Sequence, residues 1–206
     1  MTPGQRAVAA RAASLLLRYP DADALGTVAT VQAALAELPG GVAEPLSAVA
    51  RHLAGGDPRE LAAGYVDTFD FRRRCCLYLS YYTHGDTRAR GQALVTFTSA
   101  YRAAGYQLAA DELPDFLPAV LELAAAAGAP GWDLLHTHRV GLDLLHAALE
   151  RDRSVYRHAV GVVRELLPPP RPDDHRAARD LAAAGPPAEL VGLEPFPANP
   201  TTGGRR

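Results

Sequence analysis

The chain has 206 residues and a formal net charge of -2. A chain of this length buries roughly 70% of its unfolded surface, so no metal or disulfide is needed to hold it together. The charge argues against a general nucleic-acid binder, which carries a basic excess. Cys75 and Cys76 are the only cysteines and are adjacent, a spacing that suits neither a mutual bridge nor a metal or redox motif. With no apolar run of about 18 residues and no basic start followed by an apolar core, neither a membrane span nor a signal peptide is expected. The expected compartment is the reduced cytoplasm.

The periodicity is helical nearly throughout. Val8, Ala12, Leu15 and Tyr19 recur at steps of four and three, and Pro20 stops this first helix. A second helix is expected over about Thr27–Leu38, ending at "PGG", and a shorter third over about Pro45–Leu53. Asp57 is a predicted N-cap, with Pro58 in the first turn and Glu60 closing a capping box. Leu61, Tyr65 and Phe69 then share one face. The next segment, "FRRRCCLYLSYY", reads as a helix apolar nearly all round, with Phe71, Cys75, Tyr78 and Tyr82 in one stripe. Such a helix belongs in the centre of a domain.

Gly85 turns the chain, Asp86 is a predicted cap, and a helix over about Thr87–Ala104 stops at Gly105. Further helices are expected from near Pro114, over about Gly131–Glu150, and over Ser154–Leu167. No alternating strand pattern occurs. The fold class is therefore all-α, a single-domain helical bundle of about eight or nine helices over residues 1–167. Nine of the 17 prolines fall between Pro168 and Pro200, so residues 168–206 read as a Pro-rich, partly disordered tail.

Arginines at a helix start are unusual, because that end carries partial positive charge. Counting back from the expected buried stripe of Leu94, Phe97 and Tyr101 puts Arg90 on the inward side. Arg88 falls on the polar side with Gln92, Ser99 and Arg102. An inward cation needs a carboxylate partner; Asp67, Asp70 and Asp86 are the candidates, and Arg90 is expected to form a structural ion pair.

His136, Asp143 and His146 lie on one helical face, but no Glu-x-x-His motif completes a metal set. They read as a solvated polar stripe, and neither a metal nor a cofactor is expected. There is no nucleophile elbow, P-loop or dinucleotide fingerprint, so the chain does not read as an enzyme. The aromatics Tyr65, Phe69, Tyr78, Tyr81 and Tyr82 suit a core, or a groove for an apolar helical peptide.

The blocks "YVDTFD", "LYLSYYTHGDTRARGQAL", "YRAAGY" and "ELPDFLPAVLEL" resemble the nitrate reductase molybdenum cofactor assembly chaperones. These are the nitrate reductase delta subunit, or NarJ, family of the TorD-like redox-enzyme maturation chaperones. The likeness runs from about Gly64 to Glu122, with weaker similarity over Ala7–Pro20 and through the final helices to Leu167. It implies an all-helical cytoplasmic chaperone that binds the N-terminal segment of the apo catalytic α subunit and supports molybdenum cofactor insertion and assembly of the complex. By the same resemblance, Tyr65 and Phe69 match a Tyr-x-x-x-Phe element. Gly85, Asp86, Arg88, Arg90 and Gly91 match Gly-Asp-x-Arg-x-Arg-Gly. Glu112, Pro114 and Asp115 match Glu-x-Pro-Asp-His, where Phe116 replaces the family His. The expected client site is thus Tyr65, Phe69, Tyr78, Tyr81, Tyr82, His84, Asp86, Arg88, Glu112, Pro114, Asp115 and Phe116. The alternative is an all-α ligand-binding or regulatory interaction domain without catalysis. A transient homodimer is left open.

Overall fold

The computed structural model describes residues 1–85, 87–109 and 112–170, together with 176, 180, 181 and 183. Asp86 and most of the expected tail lie outside the described residues. Among those described, the chain is all-α, with ten α-helices, one or two more than the periodicity suggests.

Helices α1 (Pro3–Leu16), α2 (Ala22–Leu35) and α3 (Gly40–Gly55) form the first layer. A full capping box starts α1, with Thr2 and Gln5 each bonding the other's backbone N–H. Ala9, Ala10, Ala12 and Ala13 are buried and give α1 a thin face. That face lets it approach α7 (Leu117–Ala127) closely enough for Ser14 Oγ to donate to the Pro118 carbonyl at 2.8 Å. Asp21 caps α2 through the Ala24 N–H, so this helix begins five residues before the expected Thr27. Helix α3 begins at Gly40, not near Pro45, because the Pro39 carbonyl already accepts from the N–H groups of Val42 and Ala43.

Helix α4 (Pro58–Phe69) begins as expected, with the Asp57 carboxylate accepting from the N–H groups of Arg59 and Glu60. Beyond it the structure departs from the sequence pattern. Residues 71–82 are not one buried helix. They form a 3-10 turn at Arg73–Cys75, an extended stretch, and the single turn α5 (Tyr81–His84). Tertiary bonds override the period: Asp152 draws in both Arg72 and Arg74. Tyr78 pairs antiparallel with Phe116 in an isolated bridge. Phe71, expected in the buried stripe, is 78% exposed.

The same bridge corrects the expected helix start at Pro114. Leu79 N–H donates to Asp115 O at 2.9 Å and Leu117 N–H to Leu77 O at 2.8 Å, which commits "PDF" to a loop. Helix α6 (Arg88–Ala103) follows the expected boundaries, with Gly85 (φ 56°) and Gly105 (φ 79°) supplying the left-handed turns at its flanks. The expected Gly131–Glu150 helix is two helices, α8 (Ala129–Thr137) and α9 (Arg139–Arg151). They break at His138, whose backbone leaves the helical region while its ring stacks on Phe97 at 4.7 Å. Helix α10 (Arg157–Leu166) closes the body against α3 and α9.

Candidate functional site

A cleft of about 710 Å³ opens between the C-terminal end of α1, the start of α2, the end of α4, and the paired Tyr78 and Phe116 segments. Each wall follows from a local feature. Tyr19 and Asp21 lie in the tight α1–α2 connection. Tyr65 comes from the buried face of α4, with its hydroxyl donating to the Leu17 carbonyl at 3.0 Å and its ring edge-on to Tyr19 at 5.5 Å. Burial pushes the Tyr65 hydroxyl well above its ordinary pKa, so it remains a donor. Tyr78 and Phe116 stand opposite across the bridge, ring centroids 5.5 Å apart, and burial also pushes the Tyr78 hydroxyl up.

The bridge is locked from behind. Asp115, fully buried, accepts from Ser80 N–H at 3.2 Å and Ser80 Oγ at 2.5 Å, and from Arg90 at 3.4 Å. The Arg90 guanidinium also lies 5.5 Å from the Tyr78 ring centroid, where a cation over an aromatic face is attracted. Arg90 thus has an ion pair with Asp115, a carboxylate the sequence had not offered as a candidate; of the candidates it did offer, Asp86 lies outside the described residues. Asp67 binds Arg72, and Asp70 lines the cleft.

Of the expected client residues, Tyr65, Tyr78, Glu112 and Phe116 meet in the cleft. The other described ones are not part of its lining. Phe69 is buried against Tyr65 and Tyr156. Tyr81 is buried, and Tyr82 is buried with its hydroxyl 3.0 and 2.9 Å from the carbonyls of Arg74 and Cys76. His84 turns its Nδ1 towards Thr83 Oγ1 at 2.8 Å. Arg88 is on the exposed side of α6, Pro114 is half-buried in the loop, and Asp115 is interior, not at a rim. Asp86 falls outside the described residues.

Sequence reasoning missed the α1–α2 wall, notably Arg18, Tyr19, Asp21 and Asp23. The signal available was Tyr19, an aromatic next to Pro20 at a helix end. Among the described residues the lining carries Asp21, Asp23, Asp70 and Glu112 against Arg18. Arg18 is itself drawn to Glu122 at 3.3 Å and Glu112 at 3.7 Å. The cleft is therefore aromatic at its walls and negative in sum.

The expected stripe of His136, Asp143 and His146 is also rearranged. His136 lies on α8, while Asp143 and His146 on α9 are less than a fifth exposed and are bonded by Arg164 at 2.6 and 2.8 Å. Burial and the Arg164 charge hold the His146 pKa below its ordinary value. No group of three or more His, Cys, Asp or Glu side chains among the described residues could hold a metal ion. No helix among them is long and apolar enough to cross a membrane.

The family model described as nitrate reductase delta subunit matches residues 35–160. The chain belongs to this family. The match takes in α4, the bridge and the Glu112–Phe116 loop, whereas the α1–α2 wall precedes it. Among the relatives, the nitrate reductase-like protein NarX of Mycobacterium tuberculosis (strain H37Rv) is 41% identical over 152 residues. That alignment covers 73% of this chain but 23% of NarX, so the chain spans about a quarter of that longer protein. The probable nitrate reductase molybdenum cofactor assembly chaperone NarJ of Bacillus subtilis (strain 168) is 30% identical over 169 residues, covering 81% of this chain and 92% of that protein. The nitrate reductase molybdenum cofactor assembly chaperone NarJ of Escherichia coli (strain K12) is 37% identical over 147 residues, covering 69% and 62%.

Proposed function

We propose that this delta-subunit family member is an assembly chaperone for a nitrate reductase, acting in the cytoplasm and without catalysis of its own. It holds the N-terminal segment of the apo catalytic α subunit while the molybdenum cofactor is inserted into that client. The names of the NarJ relatives support the chaperone role. The observation that carries the client site is the cleft itself, with aromatic walls from Tyr65, Tyr78 and Phe116 and a carboxylate-rich lining. An amphipathic helix lays apolar anchors at i, i+3, i+4 and i+7 into such a groove. The surplus of Asp and Glu selects a segment that carries Arg or Lys between those anchors. Phe116, in place of the family His, adds apolar surface to the wall and removes a titrating group from it.

Calorimetry of the full chain with a peptide from the N-terminus of the α subunit tests this. Phe116→Ala and Tyr78→Ala are each expected to weaken binding by more than ~1 kcal/mol, as loss of a buried anchor does. Arg88→Ala, on the far side of α6, is expected to change affinity little. Absence of binding by the wild-type chain, or binding indifferent to both aromatic truncations, overturns the assignment.

A further inference from the structure

The loop that follows α4 is tied down along its length. The N–H groups of Asp70 and Phe71 both donate to the Val66 carbonyl, at 3.0 and 3.1 Å, and Cys75 N–H returns to Arg72 O at 2.7 Å. Arg72 links Asp67 to Asp152, and Arg74 reaches both carboxylate oxygens of Asp152 at 3.1 Å. Cys75 is fully buried beneath the turn. On this fixed loop Phe71 is 78% exposed, and Arg73, two residues on, is exposed as well. Aromatic residues and Arg are the types enriched at protein interfaces. A contact presented by a backbone that is already ordered loses little entropy when a partner arrives.

The loop is continuous with the cleft. Asp70 lines it, and Phe71 is the next residue, one Cα step of about 3.8 Å further on. A polypeptide seated against Asp70 and leaving the cleft on that side would pass Phe71 and then Arg73. We infer that Phe71 and Arg73 form a second contact for the same client, taking the stretch just beyond the segment held in the cleft. The chemistry that fits is an apolar side chain with an Asp or Glu close by in sequence: ring against apolar group, guanidinium against carboxylate. This rests on the cleft being the client site.

The test compares wild-type chain and Phe71→Ser for binding of two probes. One is a short peptide confined to the cleft-binding segment of the client; the other is a longer N-terminal fragment that continues past it. Phe71→Ser is expected to weaken the longer fragment about tenfold, as loss of an interface anchor does, and to leave the short peptide within about twofold. The melting temperature should not move, because the ring makes little contact with the core. Arg73→Ala should slow association of the longer fragment and flatten its salt dependence. Equal affinity of wild type and Phe71→Ser for the longer fragment overturns the inference while leaving the cleft reading intact. Equal loss for both probes places Phe71 in the cleft and also overturns it. A change of oligomeric state in Phe71→Ser without a change in client affinity would assign the ring to a second copy of the chain. Failure of the wild type to bind either probe removes the cleft reading and this inference together.

Discussion

Removing the guanidinium of Arg90 would leave the Asp115 carboxylate fully buried without this cation, with Ser80 as its remaining side-chain bond among the described residues. An uncompensated buried charge is costly, so Arg90→Ala is expected to lose about 3 kcal/mol in urea unfolding. The pair acts as a unit, so Arg90→Ala combined with Asp115→Asn should lose less than the two single changes summed. Strict additivity would mean that the two side chains do not interact. Because the pair sits directly behind Tyr78 and Phe116, its loss should also loosen the cleft walls. Tyr82 makes the contrasting case. Its buried hydroxyl meets two main-chain carbonyls, so its work is to fix the loop, and truncating it damages the fold before it damages recognition.

At the scale of elements, helices with local caps and periodic faces were legible in the sequence. Asp57–Pro58 marks the start of α4, and Gly85 and Gly105 bracket α6. The inward direction of Arg90 was legible too, since helical phase alone decides it. What could not be read was any feature fixed by a distant partner. Residues 71–82 have a helical apolar pattern, but Asp152, some eighty residues on, captures Arg72 and Arg74. The bridge to Phe116 spends the backbone bonds that a helix would have needed. The α1–α2 wall was missed for the same reason, because nothing local tells Tyr19 and Asp21 that Tyr65 and Phe116 will face them.

The junction of α7 and α8 gives an element-scale prediction. A Cβ on Gly131 would lie 2.2 Å from Ala124 N and 2.4 Å from Ala124 Cα. Those are backbone atoms that cannot rotate aside, so the two helices must separate. Gly131→Ala is therefore expected to destabilise by about 1–3 kcal/mol or more, the range for overpacking, although Ala is the better helix former. Unchanged or raised thermal stability would show that α7 and α8 leave room for a methyl group at this crossing.

For the molecule as a whole, His138 couples several parts at once. It caps α9, stacks on Phe97 of α6, and senses His84 and Asp115 beside the bridge. Burial foremost, then repulsion from His84, lowers its pKa from 6.5 to about 4, with Asp115 opposing. The unfolded chain takes up this proton as pH falls through 6.5, whereas the folded chain stays neutral there until about 4. The unfolded state binds more protons across that window, so stability is fully present above 6.5 and drains away as pH falls towards 4. The amount is on the order of 3 kcal/mol for a group this buried. His138→Phe keeps an aromatic ring against Phe97 and removes the titration. Unfolding free energies of both proteins between pH 7 and 4.5 separate this histidine from every other titrating group. The wild type should lose more stability than the variant over that range, most of the difference arising below 6.5. Parallel pH profiles would mean that His138 is protonated in the folded chain as readily as in the unfolded one, and the acid lability would have to come from elsewhere.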